Sequence, residues 1–148
     1  MTEDVYFPGF QKNPYQYVAQ CDAYVLSSVS EGFPNVLAEA MALGLPVISV
    51  NCYSGPAEIL LTNSDYHHVQ ERFVECDYGI MTPHYDFVRT DRAVEEMAKA
   101  ITYLLSDTML MQHYSEVAKE RAEFFTAKKA TDQFKLIFSE LSQRRRIR

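Results

Sequence analysis

The sequence predicts an α/β protein with a parallel sheet covered on both faces. Three observations carry that expectation. Tyr24-Val25-Leu26 and Val47-Ile48-Ser49-Val50 are short apolar runs, the pattern of strands buried on both sides. A proline-led helical stretch, Pro34 to Leu43, stands between them. Beyond Val94, three segments each carry one apolar stripe at helical spacing.

The elements follow in order. Val5-Tyr6-Phe7 before Pro8-Gly9 reads as a strand and a turn. Asn13-Pro14 reads as an N-cap with proline at the first helical position, opening a helix to about Gln20. Tyr24 to Leu26 is a strand. Pro34 presets the first turn of the next helix, and Gly44 stands just past its end. Pro46 leads into the strand Val47 to Val50. Ser54-Gly55-Pro56 is a turn signal, followed by a short helix to about Leu61. Residues 62–77, TNSDYHHVQERFVECD, show no period and read as a long loop or insertion. Tyr78 to Thr82 reads as a short strand.

Three helices close the chain. Their stripes are Val94, Met97, Ala98, Ile101, Leu104 and Leu105; then Leu110, Tyr114, Val117, Ala118 and Phe125; then Ala130, Phe134, Ile137, Phe138 and Leu141. No linker composition interrupts the chain. Residues 1–106 read as the sheet domain and 107–148 as its helical arm.

The totals narrow the function classes. At 148 residues, 47% hydrophobic and 23% charged, the chain can build one core of ordinary size. The longest apolar run, Ala40 to Val50, is broken by Gly44 and Pro46 and is too short to span a bilayer. The acidic start, MTEDVYF, does not read as a signal peptide. Cys21, Cys52 and Cys76 are far apart and form no CxxC pair, which favours a reducing cytoplasm over disulfides or a zinc ribbon. Residues 1–127 hold 7 Lys/Arg against 18 Asp/Glu, whereas residues 128–148 hold 7 against 2. An acidic body argues against nucleic acid as a partner. The basic end reads first as a solvated helix end. The sharper alternative is peripheral contact with an anionic membrane surface or a partner chain.

The chemistry concentrates in residues 27–46, SSVSEGFPNVLAEAMALGLP. Between Glu31 and Glu58 the one charged side chain is Glu39, and from Asn13 to Glu71 there is no Lys or Arg. In open α/β sheets ligands bind beyond the carboxyl ends of the strands. Glu31 follows the strand ending near Ser27 and falls in that crevice. The helix opening at Pro34 aims its N-terminus there. Pro34 has no N–H, so Asn35, Val36 and Leu37 are the expected free donors, an anion site suited to phosphate. Gly32 removes a side chain that would block close approach. Glu39, one turn further in, is costly to bury without a partner, and the two hydroxyls of a ribose would suit it. Glu31 could then accept from another hydroxylated group, giving sugar, pyrophosphate and ribose in a row. The bland alternative stays open on these grounds. In it Glu39 faces solvent on an amphipathic helix and Glu31 is a loop charge near a helix N-terminus.

The run GFQKNPYQYVAQCDAYVLSSVSEGFPNVLAEAMALGLPVISVNCYSGPAEIL resembles the C-terminal nucleotide-binding domain of family-4 retaining glycosyltransferases, which have the GT-B fold. The resemblance rests on Glu-x7-Glu, here Glu31 and Glu39, within S-x-x-E-G-F-P-N-x-L-x-E-A-M-A-x-G-x-P-V-I. It covers about fifty contiguous residues and continues more weakly through YGIMTP and the helices. It implies a Rossmann-like sheet, the incomplete C-terminal half of such an enzyme. It implies that Glu31 contacts the donor sugar hydroxyls and serves catalysis. It implies that backbone amides around Gly32, Phe33, Asn35 and Val36 hold sugar and phosphates, that Glu39 takes the ribose, and that Phe10 and Gln11 approach the base. The family transfers a sugar with retention from a nucleotide donor, commonly UDP-linked, to a saccharide or lipid-linked acceptor, as in surface-polysaccharide or glycolipid assembly. It needs no bound metal or other cofactor.

The chain also departs from the family pattern. Relatives place an acceptor domain, and an Arg and a Lys that meet the pyrophosphate, ahead of the region matched here. Many also carry a basic residue beside the Ser-Gly-Pro turn, where this chain has Ala57. Two central strands are expected to be missing between Val5–Phe7 and Tyr24–Ser27. The expectation is therefore a donor-binding piece of a larger enzyme, or a chain that completes its sheet as a homo-oligomer. The competing function is a non-catalytic binding or interaction module.

Other residues carry less. His67, His68 and His84 read as loop histidines, without carboxylate or cysteine at ligand spacing. Cys52 reads as a small buried residue. Tyr114 and Phe125 read as core, and Glu58 as structural. Ser54 and Gly55 are open between a turn and a phosphate contact.

Overall fold

The computed structural model describes residues 4–52, 55–63, 71–86 and 88–146. The chain runs α1 (Tyr15–Val18), β1 (Tyr24–Leu26), α2 (Asn35–Ala42), β2 (Val47–Val50), α3 (Gly55–Leu60), β3 (Val74–Cys76), β4 (Gly79–Thr82), α4 (Thr90–Ser106), α5 (Thr108–Ala122), a 3-10 turn (Glu123–Phe125) and α6 (Ala127–Arg146). The strands form one sheet in the order β1-β2-β4-β3. β1 pairs parallel with β2, Tyr24 opposite Val47, and β2 pairs parallel with β4, Ile48 opposite Ile80. β3 runs antiparallel to β4, Val74 opposite Met81.

Alternation along the strands sends side chains to two cores. Leu26 and Val47 pack with Leu37, Ala40 and Met41 of α2, Ile59 and Leu60 of α3 and Ala118 of α5. Ile48, Val47's neighbour, points to the other face, where it packs with Ile80, with Ala100 and Leu104 of α4, and with Tyr114 of α5. The sheet is thus covered on both faces, as its apolar strands predict. The Tyr114 hydroxyl donates to the Cys76 carbonyl at 3.2 Å, which pins α5 to β3.

Local chemistry sets the element ends. Gly44 takes φ +82 after α2, a conformation that favours glycine, and the Lys119 stem fills the space a Cβ would need. The Asp107 carboxylate caps α5, accepting from the N–H groups of Met109 (2.9 Å) and Leu110 (3.0 Å).

Several expectations need correction. Val5 to Phe7 is not a strand. It is exposed coil, because three apolar residues without a partner strand gain nothing from extension. Gly55 and Pro56 belong to the first turn of α3 rather than to a separate turn, a position proline tolerates. The stretch 62–77 is not irregular throughout. Val74–Cys76 is an edge strand joined to β4 by the two-residue turn Asp77-Tyr78. His84 does lie in the loop after β4, as expected, but it is fully buried there. Ser54, His67 and His68 lie outside the described residues. Among the described residues no helix is long and apolar enough to cross a membrane.

Candidate functional site

The site is built on β1, the loop 27–34 and α2. β1 delivers the chain to the carboxyl end of the sheet. Glu31 makes an isolated bridge in the loop and is half-buried. α2 turns Leu37, Ala40 and Met41 into the core, which leaves Glu39 half-buried on its flank. Pro34 is buried beneath the helix start, whereas Gly32 and Asn35 are exposed, Phe33 is 37% exposed and Val36 44% exposed.

The helix tip is therefore open to solvent. Asn35 and Val36 hold first-turn N–H groups, which an α-helix cannot pair internally. Leu37 departs from the expectation of three free donors. Its N–H reaches the Pro34 carbonyl at 3.0 Å, a tight first turn that consumes the donor. Around Gly32 a Cβ would meet nothing within 4 Å, so this side of the loop faces open space.

Both carboxylates act on one phenol. Tyr24, half-buried on β1, is pushed above the usual tyrosine range by burial first, then by Glu39, then by Glu31. Both acids are thus within electrostatic range of Tyr24. The exposed Tyr15 hydroxyl of α1 hydrogen-bonds Glu39, and this bond is the main reason its own pKa is raised, ahead of the Glu39 charge and burial. Among the described residues neither Glu31 nor Glu39 has an ion-pair partner. At Glu39 the Tyr15 hydroxyl takes that place.

The loop is braced from four directions. Gly55, opening α3, presses against Gly32 and Pro34, and a Cβ there would run into the Gly32 carbonyl and within 2.6 Å of the Pro34 ring. Burial pushes the Cys52 thiol up, and Glu31 acts on it twice, its charge raising and its N–H lowering the pKa. Cys52, just beyond β2, is thus a buried structural neighbour of Glu31. The Phe33 ring meets Phe125 edge-on at 5.3 Å between centroids, tying the loop to the segment between α5 and α6. The fourth support, His84, accepts from the Asp86 N–H at 3.1 Å and lies 2.7 Å from the Val29 carbonyl.

Phe10 and Gln11 sit apart from this cluster. Phe10 is 93% exposed. Gln11 donates to the Pro8 carbonyl at 2.7 Å and accepts from the Tyr17 hydroxyl at 3.2 Å. Their connection to the carboxylates runs through α1, which carries both Tyr17 and Tyr15. Sequence reasoning passed over the contacts of Tyr15, Tyr24 and His84 with this site, whereas Cys52 is the small buried residue it expected. The signal for the tyrosines was available, because a stretch without Lys or Arg leaves phenols as the strong donors for a carboxylate. No sequence period pointed to His84.

A separate cavity of about 360 Å³ lies between α4 and the carboxyl ends of the strands, with Ser27, Val50, Pro83, Tyr85 and Met97 in its wall. It includes neither carboxylate. Among the described residues no three His, Cys, Asp or Glu side chains gather as metal ligands.

Comparison with known proteins identifies the family. Residues 1–107 match the family model described as glycosyl transferases group 1. The chain is 33% identical over 146 residues to an uncharacterised glycosyltransferase of Methanocaldococcus jannaschii, covering 93% of this chain and 36% of that protein. It is 30% identical over 125 residues to the N-acetylgalactosamine-N,N'-diacetylbacillosaminyl-diphospho-undecaprenol 4-alpha-N-acetylgalactosaminyltransferase of Campylobacter jejuni, covering 84% of this chain and 29% of that protein. The fold superposes on sucrose-phosphate synthase of Thermosynechococcus elongatus with a TM-score of 0.63 at 22% identity, covering 88% of this chain and 28% of that one. The chain thus spans about a third of the length of the curated relatives it matches.

Proposed function

Because this chain belongs to the group 1 glycosyltransferases, we propose that it is the donor-binding part of a family-4 retaining enzyme, with Glu31 and Glu39 as its Glu-x7-Glu pair. The observation that carries the reading is the pairing of an open helix tip with two carboxylates that act on one phenol. A nucleotide-sugar, with UDP the leading base, matches that layout. Its diphosphate suits the Asn35 and Val36 N–H groups at the positive end of α2. Phe33 and Gly32 border the sugar and phosphates, and the exposed backbone at Gly32 leaves room for them. Glu31 accepts from the sugar hydroxyls. Glu39 accepts from the ribose hydroxyls, replacing or sharing the Tyr15 bond. Phe10 and Gln11 border the base.

The reaction breaks the bond between the anomeric carbon and the diphosphate and forms one to an acceptor hydroxyl on the same face of the sugar. Charge accumulates on the departing diphosphate. Preorganised N–H dipoles aimed at that charge stabilise the transition state without metal or other cofactor. The Campylobacter relative's name specifies a sugar carried on diphospho-undecaprenol, which supports a saccharide or lipid-linked acceptor here. Binding that acceptor falls to parts of the protein beyond this chain's share of its relatives.

Calorimetry with UDP, GDP and ADP tests the reading. One nucleotide should bind, and Glu39→Ala should weaken it about tenfold, the loss of hydrogen bonds to a charged group. Absence of binding to all three, or equal binding by Glu39→Ala, rejects it. The stretch from Asn13 to Glu71 without Lys or Arg favours a second reading, a binding module without turnover. Nucleotide binding without sugar transfer by the full-length protein would select that one.

A further inference from the structure

We propose that His84 is a positioning residue for the Glu31 loop, holding the Val29 carbonyl and so setting where Glu31 stands beside the tip of α2. The inference rests on the donor-site reading above, and it adds a residue from another part of the fold.

His84 follows β4, far from the loop in sequence, and its side chain is fully buried. A buried imidazole is retained only if both nitrogens find partners. The Asp86 N–H points at Nδ1, 3.1 Å away, so Nδ1 is the acceptor. The proton then sits on Nε2, which donates to the Val29 carbonyl at 2.7 Å. Backbone groups thus meet both ring nitrogens, and the Asp86 carboxylate also lies 3.6 Å from Nδ1. The Tyr85 ring lies against the imidazole, centroids 4.2 Å apart, and limits its rotation. Val29 stands two residues before Glu31, in the segment between the last residue of β1 and the helix tip. Gly55, Cys52 and Phe125 also support that segment. His84 is the brace that ties it to β4, across the carboxyl end of the sheet.

A buried histidine that merely fills space predicts something different from one that aims a loop. His84→Asn and His84→Gln separate the two. The Asn amide stands where Nδ1 stands and keeps the Asp86 contact, but it is too short to reach Val29. The Gln amide extends to where Nε2 stands and can donate to that carbonyl. Affinity for UDP-glucose, UDP-N-acetylgalactosamine, GDP-mannose and ADP-glucose is measured by calorimetry. Backbone amide resonances of Val29 to Phe33 are followed in the unliganded chain by NMR. His84→Asn should weaken the bound nucleotide-sugar on the order of tenfold or more. It should also shift or broaden the Val29 to Phe33 resonances, with those of α4 and α5 unmoved. His84→Gln should restore both.

Equal behaviour of the two variants overturns the inference, whether both resemble the unaltered chain or both lose the loop. If no nucleotide-sugar binds the unaltered chain, the donor-site reading fails. The unliganded resonances then decide the His84 question alone.

Discussion

Glu96 shows how a single buried acid fixes one junction of this fold. Its carboxylate accepts from the Phe73 N–H and from Lys99, each at 3.0 Å. Burial pushes its pKa up, but Lys99, the Phe73 N–H and the more distant Arg92 outweigh that, and the net shift is downward. A folded pKa below the unfolded one means stability that is present above the unfolded value and lost as pH falls through the folded one. Urea midpoints of the wild type should therefore fall as pH drops below 4.5, and Glu96→Gln should flatten that limb. An unchanged slope in the variant would remove Glu96 from the account. Cys76 carries the opposite sign. Burial raises its thiol from 9.0 to about 12. The folded state keeps it protonated, so its contribution is present below pH 9.0 and lost as pH rises from there toward about 12. Cys76→Ala should lose the corresponding alkaline slope. At this scale the sequence exposed the Glu31–Glu39 spacing, because both lie on one strand–loop–helix unit. It concealed the contact of His84 with the loop, because the partner is the backbone carbonyl of the remote Val29, and no pattern of side chains encodes a backbone partner.

Between elements, Arg121 joins α5 to α3. Its guanidinium donates to the carbonyls of Glu58 (2.8 Å), Ile59 (2.9 Å) and Leu61 (3.1 Å), the unpaired C-terminal end of α3. It also lies over the Tyr78 and Phe125 rings, at 4.8 Å and 5.1 Å from their centroids. A planar fork donates in its plane to several carbonyls while its face rests on rings, a geometry the compact ammonium does not reproduce. Arg121→Lys should therefore destabilise the chain by about 2 kcal/mol, as hydrogen bonds made by a charged group are lost from a half-buried site. Chemical denaturation with unchanged m-value reads that out. A loss under about 0.5 kcal/mol would show the contacts to be incidental surface pairing. Elements that carry their own period were legible in the sequence: β1, α2, β2, β4 and the three long helices. β3 was not, since Val-Glu-Cys becomes a strand only by pairing with β4. Val5–Phe7 failed in the reverse direction, an apolar tripeptide without a neighbour to pair with.

Over the whole molecule, burial stops abruptly at the 3-10 turn. Tyr114 and Ala118 of α5 are buried in the two cores, whereas every residue from Ala127 to Gln143 is exposed. α6 nonetheless carries Phe134, Leu136, Ile137, Phe138 and Leu141, each more than half exposed. It belongs to the segment with 7 Lys/Arg against 2 Asp/Glu. A helix that buries little adds little to the stability of the body, and an apolar stripe left in water favours association. A chain ending at Thr126 should then unfold within about 4 °C of the full chain, the shift expected for roughly 1 kcal/mol in a protein of this size. Sedimentation velocity should find the full chain associating as concentration rises and the shortened chain doing so less. Any association that persists after shortening is assigned to the outer edge of β1, where the half-exposed Val25 lies on a strand paired along one side only. Should the full chain stay monomeric yet co-sediment with anionic vesicles, the stripe and its basic neighbours address a lipid surface instead. A fall in midpoint beyond about 10 °C on removing α6 would contradict the argument, because it would mean that the helix stabilises the body through contacts its exposure does not allow.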